Sequence, residues 1–180
     1  AQSFPSRPMR FIVPFPPGGG VDTIARAFTQ KFTEAWGQQD IVDNRPGGGG
    51  NIAANAVAKA APDGYTLLIV STGLAIAPSL YRRLPFDPVK DLLPISQILA
   101  TSHVLAVHPS MPATLKELVA LAKSRPGKLN YANTGVGTGT HLLGEMLRFA
   151  ADINIVMVPY KGDAQAVPAM LAGEVEMGFS

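Results

Sequence analysis

Met9-Arg10-Phe11-Ile12-Val13-Pro14-Phe15-Pro16-Pro17-Gly18-Gly19-Gly20-Val21-Asp22 is the stretch that decides how the chain reads. Its first half, Met9 to Phe15, is an apolar run rich in Phe, Ile and Val, as a strand buried on both faces requires. Pro16 and Pro17 stop that strand, and the glycines after them let the backbone turn tightly. From Val21, the residues Val21, Ile24, Ala25, Phe28, Phe32 and Ala35 recur at helical spacing, with Arg26, Gln30, Lys31 and Glu34 on the other face. The stretch therefore opens a strand, a glycine loop and an amphipathic helix that ends near Gly37.

The same unit recurs downstream. Ile41-Val42 leads into Arg45-Pro46-Gly47-Gly48-Gly49-Gly50, and Asn51 is placed to cap an Ala-rich helix that stops before the turn signal Pro62-Asp63-Gly64. Tyr65 to Val70 reads as a strand, and Tyr81 to Pro94, with three prolines, as a surface connection. Ile95 to Val107 is apolar enough for two strands, or for one long strand crossing between domains, and the boundary is placed there. Residues 1–101 form a first lobe and 102–180 a second.

In the second lobe, Thr114 and Glu117 have capping-box spacing, and Leu115, Leu118, Val119 and Ala122 supply a buried stripe. Leu129 to Ala132 is a strand and Asn133 to Thr140 a second glycine-rich loop. His141 to Ala150 is a helix with Leu142, Leu143, Met146 and Leu147 turned inward. Ile153 to Val158 is the next strand. Beyond Gly162-Asp163 a helix runs to Gly173, and Pro168 predicts that it is kinked or starts late. Val175 to Phe179 is a last strand. Strands alternating with helices predict an α/β fold with mostly parallel sheets. Every glycine loop falls where a strand hands over to a helix, the edge where such sheets bind ligands.

Composition narrows the function. With 47% hydrophobic and 16% charged residues among 180, the chain can bury a core. Its formal net charge of +2 is spread out, which argues against a nucleic-acid footprint. No cysteine is present, so disulfides, zinc thiolates and thiol nucleophiles are excluded. No apolar run approaches the roughly 20 residues that span a bilayer. The start, Ala1-Gln2-Ser3-Phe4-Pro5, reads as a mature end left after a signal peptide is removed.

The loops carry the chemistry. In Pro14 to Asp22, a helix start supplies unpaired N–H groups and partial positive charge, which favour an anion, carboxylate as well as phosphate. Asp22 either stabilises that helix end or accepts a ligand ammonium or hydroxyl. Asn133-Thr134-Gly135-Val136-Gly137-Thr138-Gly139-Thr140-His141 can set N–H and O–H donors around one carboxylate without a fixed cation. Pro46 to Asn51 and Lys161 to Asp163 are further helix starts of this kind. The P-loop, G-x-S-x-G and H-E-x-x-H patterns are all absent from the sequence. His141 and Glu145, at i and i+4, are two ligands without a third. His103 and His108 read as hydrogen-bonded structural histidines, and Trp36 as core.

Several motifs, in order, closely resemble the Bug-type (TctC) solute-binding proteins of tripartite tricarboxylate transporters. They are Pro8 to Gly20, Asp43-Asn44-Arg45-Pro46-Gly47, Pro62-Asp63-Gly64-Tyr65-Thr66-Leu67-Leu68, Pro126-Gly127-Lys128-Leu129 with Tyr131-Ala132, His141-Leu142, and Val158-Pro159-Tyr160-Lys161-Gly162. The resemblance implies a type II periplasmic-binding-protein fold: two α/β lobes with mostly parallel sheets and crossing hinge strands, closing on a ligand in the cleft between them. It implies no catalysis and no cofactor or metal. The ligand it implies is a small carboxylate: a di- or tricarboxylate, an amino acid or an aromatic acid.

By the same resemblance, main-chain amides and small side chains of Thr134, Gly135, Val136, Gly137 and Thr138 hold one carboxylate. Phe15, Pro16, Pro17, Gly18, Gly19 and Gly20 contribute water-mediated contacts, and Asp22, Thr72, His141, Lys161 and Gly162 lie near the ligand. The expected partners are the membrane components of a tripartite transporter, and the expected location is the periplasm. Two other readings stay open, a sensor presenting its bound form to a signalling receptor and an enzyme on the same fold.

This sequence departs from the family pattern at three positions. Met157 stands where His commonly precedes Val-Pro-Tyr-Lys-Gly, Asn133 replaces a usual Ser, and Asp152 replaces a common Gly. Family members continue for roughly another hundred residues, so the chain reads as short of its C-terminal part. An open sheet edge then predicts a dimer or swapped assembly of the 180-residue form.

Overall fold

The computed structural model describes residues 4–180; Ala1, Gln2 and Ser3, part of the start read as a processed end, lie outside the described residues. The chain divides into two compact units, one ending at Ile95 and the other spanning Ser96–Ser180.

The first unit runs β1 (Arg10–Val13), α1 (Gly20–Trp36), β2 (Ile41–Asn44), α2 (Asn51–Ala58), β3 (Thr66–Leu68) and α3 (Gly73–Leu80). Its sheet has the order β2-β1-β3 and is parallel throughout, with Arg10 beside both Ile41 and Thr66. The central strand is buried on both faces: Phe11, Ile12 and Val13 are all at most 3% exposed. Met9, Phe11, Val13, Ala25 and Ile69 form the core, and Phe15, Val21 and Phe32 pack against it. Helix α1 ends at Gly37, which takes the left-handed conformation (φ 71°) and donates its N–H to the carbonyl of Thr33.

Two expectations for this unit are corrected. Asn51 does not cap α2; it is the first residue inside the helix, and Gly50 is the cap. The run Gly47 to Gly50 has positive φ at every position and forms a short 3-10 turn that feeds directly into the helix, which leaves Asn51 with helical backbone. Trp36 is not core. It stacks on Phe32 with ring centroids 4.7 Å apart and remains 44% exposed, because it sits in the last turn of α1.

The second unit runs β4 (Leu105–Val107), α4 (Leu115–Ser124), β5 (Asn130–Asn133), α5 (Gly139–Ala151), β6 (Val156–Pro159), α6 (Asp163–Leu171) and β7 (Met177–Phe179). The sheet order is β4-β7-β5-β6; only the β4–β7 pair is antiparallel. Side-chain alternation along β5 serves two cores. Tyr131 joins Leu118, Ala122, Ile155 and Met177, while Ala132 joins Ala166, Ala169, Met170 and Val175. Thr114 caps α4 as its spacing predicts, its Oγ1 accepting the Glu117 N–H at 3.3 Å.

The apolar stripes are rotated from those expected. Leu115, Leu142 and Met146 are exposed. Helix α5 meets the sheet through Thr140, Gly144 and Leu147, and a Cβ added at Gly144 would lie 2.1 Å from Cε2 of Tyr131. A contact made by a missing side chain leaves no mark in an apolar periodicity. Of Ile95 to Val107, only Leu105–Val107 is strand; Val104 and Ser180 exchange two further main-chain bonds. Residues 95–103 have no strand beside them among the described residues, and apolar composition alone does not make a ladder. Helix α6 starts at Asp163, not later, and contains Pro168.

Candidate anion-binding loops

In the first unit, the loop Phe15 to Gly20 follows β1, the Gly47–Gly50 turn follows β2, and Thr72 follows β3. Because the strands are parallel, all three lie at the carboxyl edge of one sheet. Asp22 organises the first loop. It is 2% exposed and accepts the Gly18 N–H at 2.9 Å, Arg26 Nε–H at 2.9 Å and Asn44 Nδ2–H at 2.8 Å. Asn44 Nδ2 also donates to the Phe15 carbonyl at 2.9 Å. Burial pushes the Asp22 carboxyl up, but the bonds from Arg26, Gly18 and Asn44 outweigh it and hold the group below its ordinary range.

Of the two roles open to Asp22, the geometry serves loop organisation, since both carboxylate oxygens are engaged by protein donors. The Gly18 amide is likewise engaged. The amides of Gly19, Gly20 and Val21, at the start of α1, have no protein acceptor among the described residues. Thr72 is exposed, and its carbonyl accepts from the amides of Ala75 and Ile76.

In the second unit, β5 and β6 pair in parallel with Asn133 beside Pro159, so the loops that follow them are neighbours. The Asn133 carbonyl accepts the Tyr160 N–H at 2.9 Å and joins the two. Three buried threonines frame the first loop. Thr134 Oγ1 lies 2.9 Å from Thr140 Oγ1 and 3.3 Å from Thr138 Oγ1, and Thr138 Oγ1 donates to the Gly135 carbonyl at 2.7 Å. Thr140 Oγ1 also accepts the Thr134 N–H at 3.0 Å. The hydroxyls of Thr134 and Thr138 thus satisfy one another and the backbone, and shape the loop from inside.

The Gly137 amide donates to Nδ1 of His141 at 3.3 Å. At the start of α5, the amides of Gly139 and Thr140 have no protein acceptor among the described residues. They stand behind Thr138, whose side chain caps the helix by accepting the His141 N–H. Gly135 and Gly137 have positive φ (131° and 87°), and Val136 between them is exposed. In the adjoining loop Lys161 is exposed, its amide donating to Gln165 Oε1 at 3.2 Å, and the carbonyl of buried Gly162 accepts from Gln165 and Ala166.

His141 and Glu145 each have protein partners, Nδ1 of His141 accepting the Gly137 N–H. Glu145 accepts the Tyr131 hydroxyl at 2.7 Å and Arg148 Nη1–H at 2.8 Å. Burial raises the Tyr131 phenol well above its usual range, and the bond to Glu145 raises it further. Burial pushes Glu145 up, yet Tyr131 and Arg148 together hold it below an ordinary glutamate. Met157 packs against the core of its own unit. A shallow groove of about 550 Å³, lined by Arg26, Thr29, Gln30, Thr33 and Asp40 among others, runs along α1 and β2 and includes no glycine-loop residue.

Sequence reasoning named the loops that hold Val21, Gly139 and Thr140 as sources of N–H donors but left these three out of the ligand-contact residues. The signal was available: they follow the cap positions Gly19 and Thr138, and the first amides of a helix have no partner within it.

The sequence matches the family model described as "Tripartite tricarboxylate transporter family receptor" over residues 24–179. A UPF0065 protein of Bordetella pertussis (strain Tohama I) is 45% identical, over 99% of this chain and 56% of its own length. The solved structure of R. palustris Rpa4515 with adipate is similar at TM-score 0.94 and 34% identity, covering 99% of this chain and 60% of that one. MatC (Rpa3494) from Rhodopseudomonas palustris with bound malate is similar at TM-score 0.92 and 31% identity, covering 98% of this chain and 61% of that one. The chain spans about half the length of the curated relatives it matches, 56% of one and 52% of another.

Proposed function

From the premise that this chain belongs to the Bug-type (TctC) family of tripartite tricarboxylate transporter receptors, with the periplasmic-binding-protein fold, we propose that it captures a small carboxylate through main-chain amides. It does so in the periplasm and for the membrane components of such a transporter. The observation that carries this reading is the pair of amides at the start of α5, Gly139 and Thr140, which have no protein acceptor among the described residues and follow a loop of glycines and buried threonines. A helix of 13 residues adds partial positive charge at that end, so an anion is favoured without a cationic side chain.

The amides of Gly19, Gly20 and Val21, likewise without a protein acceptor among the described residues at the start of α1, are a candidate donor set within the first unit. Thr72, His141, Lys161 and Gly162 then tune which acid is preferred. Binding fits better than catalysis, because the carboxylates beside these loops, Asp22 and Glu145, are committed to protein donors. Two structural neighbours hold adipate and malate, which makes dicarboxylates the first ligands to test.

Calorimetric titration of malate and adipate into the protein tests the reading, with Gly139→Pro as the deciding variant. Thr138 is extended (φ −85°, ψ 168°), the backbone that a following proline tolerates, and proline is accepted at the first helical position. The change therefore deletes one amide donor and spares the helix. Loss of a hydrogen bond to a charged group costs about 1.5–3 kcal/mol, or about 10- to 100-fold in affinity. Gly139→Ala keeps the N–H and should bind as wild type. Gly20→Pro makes the same deletion in the first unit. Wild-type protein that takes up neither acid, nor any of a panel of di- and tricarboxylates, overturns the reading.

A further inference from the structure

Three features stand outside the site described above: the polar groove along α1 and β2, the exposed apolar residues of α5, and a buried asparagine under the second-unit loop. The asparagine carries furthest. Asn133 is the last residue of β5 and is 0% exposed. Its Oδ1 accepts the Gly135 N–H at 2.8 Å, and its main-chain carbonyl accepts the Tyr160 N–H at 2.9 Å. Its Nδ2 is buried with no hydrogen-bond partner among the described residues.

These facts pull against one another. A buried amide donor without an acceptor is costly, and an apolar side chain of the same shape would remove that cost. The unpartnered Nδ2 offsets what the Gly135 bond contributes, so stability alone does not account for an asparagine here. What the residue supplies is its acceptor, which turns the Gly135 amide inward and fixes the entry to the loop. The Tyr160 bond fixes the start of the neighbouring loop from the same residue.

Resting on the carboxylate-binding reading, we propose that Asn133 is the positioning residue of this site. It holds the loops after β5 and β6 so that the amides at the start of α5 meet the ligand. Asn133 sets affinity without touching the ligand.

The test compares wild type with Asn133→Leu, which keeps the shape and removes both polar ends. Malate and adipate titrations are read beside thermal unfolding without ligand and amide exchange at Gly135 and Tyr160. The expected result is a melting temperature close to wild type, faster exchange at Gly135, and affinity lower by about tenfold or more. Wild-type affinity, or loss of stability and affinity together, overturns the proposal.

Should the leucine variant not fold, Asn133→Ala decides. It also removes the acceptor for Gly135, so malate should bind about tenfold more weakly or worse; unchanged affinity overturns the proposal. Wild-type protein that binds neither acid removes the function reading, and this inference with it. Binding by wild type that all Asn133 variants retain removes the inference alone.

Discussion

Gly18 donates its main-chain N–H to Oδ2 of Asp22 at 2.9 Å, four residues further along the chain. The bond closes the glycine loop onto the first turn of α1 and uses a buried carboxylate that also receives Arg26 and Asn44. Asp22 thereby organises its own loop, and the amides of Gly19, Gly20 and Val21 are left without a protein acceptor among the described residues.

Asp22→Asn tests that role. An asparagine keeps one acceptor and turns an NH₂ group toward donors, so at least one of Gly18, Arg26 or Asn44 loses its partner. Hydrogen bonds to charged groups contribute about 1.5–3 kcal/mol, and the exposed Arg26 contributes least. The expected loss is about 2 kcal/mol in urea unfolding, with faster amide exchange at Gly18. Full stability would return Asp22 to the list of ligand contacts.

The pH dependence follows from the same groups. Asp22 and Glu145 are both held below their ordinary values of 3.8 and 4.5 in the folded chain. A depressed carboxyl stabilises the fold above its unfolded pKa, and that contribution is lost as pH falls through the folded value. Stability should thus be level above about pH 5 and fall progressively below it. Tyr131 is shifted upward, so its contribution is present below its ordinary pKa of 10.0 and fades only as pH rises beyond it. Thermal unfolding between pH 3 and 8 checks the acid limb, which Asp22→Asn should flatten.

Gly144→Ala is expected to be strongly destabilising although alanine is the better helix former. The new Cβ would lie 2.1 Å from Cε2 and 2.5 Å from Cζ of Tyr131, a ring that is 1% exposed and held by Glu145. Overpacking of this kind costs about 1–3 kcal/mol. Tyr131→Leu in the same chain should recover part of the loss, which a double-mutant cycle measures.

Asp152→Gly should stabilise. Asp152 closes α5 in the left-handed conformation (φ 50°), the only non-glycine residue with positive φ among those described. An L-residue there carries strain, and its negative charge faces the carbonyl end of the helix. Glycine removes both and loses some chain entropy, for a net gain of about 0.5–1 kcal/mol. A lower melting temperature would mean that the Asp152 side chain makes a compensating bond.

Much of the fold was legible because burial leaves a periodic trace. Phe11, Ile12 and Val13 announce a strand covered on both sides, and Val21 to Phe32 announce a helix with one apolar face. What failed to show were contacts that depend on shape or partner. Gly144 against Tyr131 is a contact through absence, and it turned α5 so that Leu142 and Met146 face outward. Residues 95–103 are apolar enough to read as a strand, yet a strand exists only where another offers its bonds. For the loops, sequence located the glycines and helix starts but could not say which amides were already taken.

The amino-acid order by itself settled the α/β class, the strand-loop-helix repeat and the family, since each rests on local patterns and ordered motifs. Tertiary structure decided that Asp22 and the Thr134, Thr138 and Thr140 hydroxyls bind their own loops, and that Gly139, Thr140, Gly19, Gly20 and Val21 keep open amides. The physical reason is that a hydrogen-bonding group can be assigned to scaffold or ligand only once its neighbours in space are known, and those neighbours come from elsewhere in the chain.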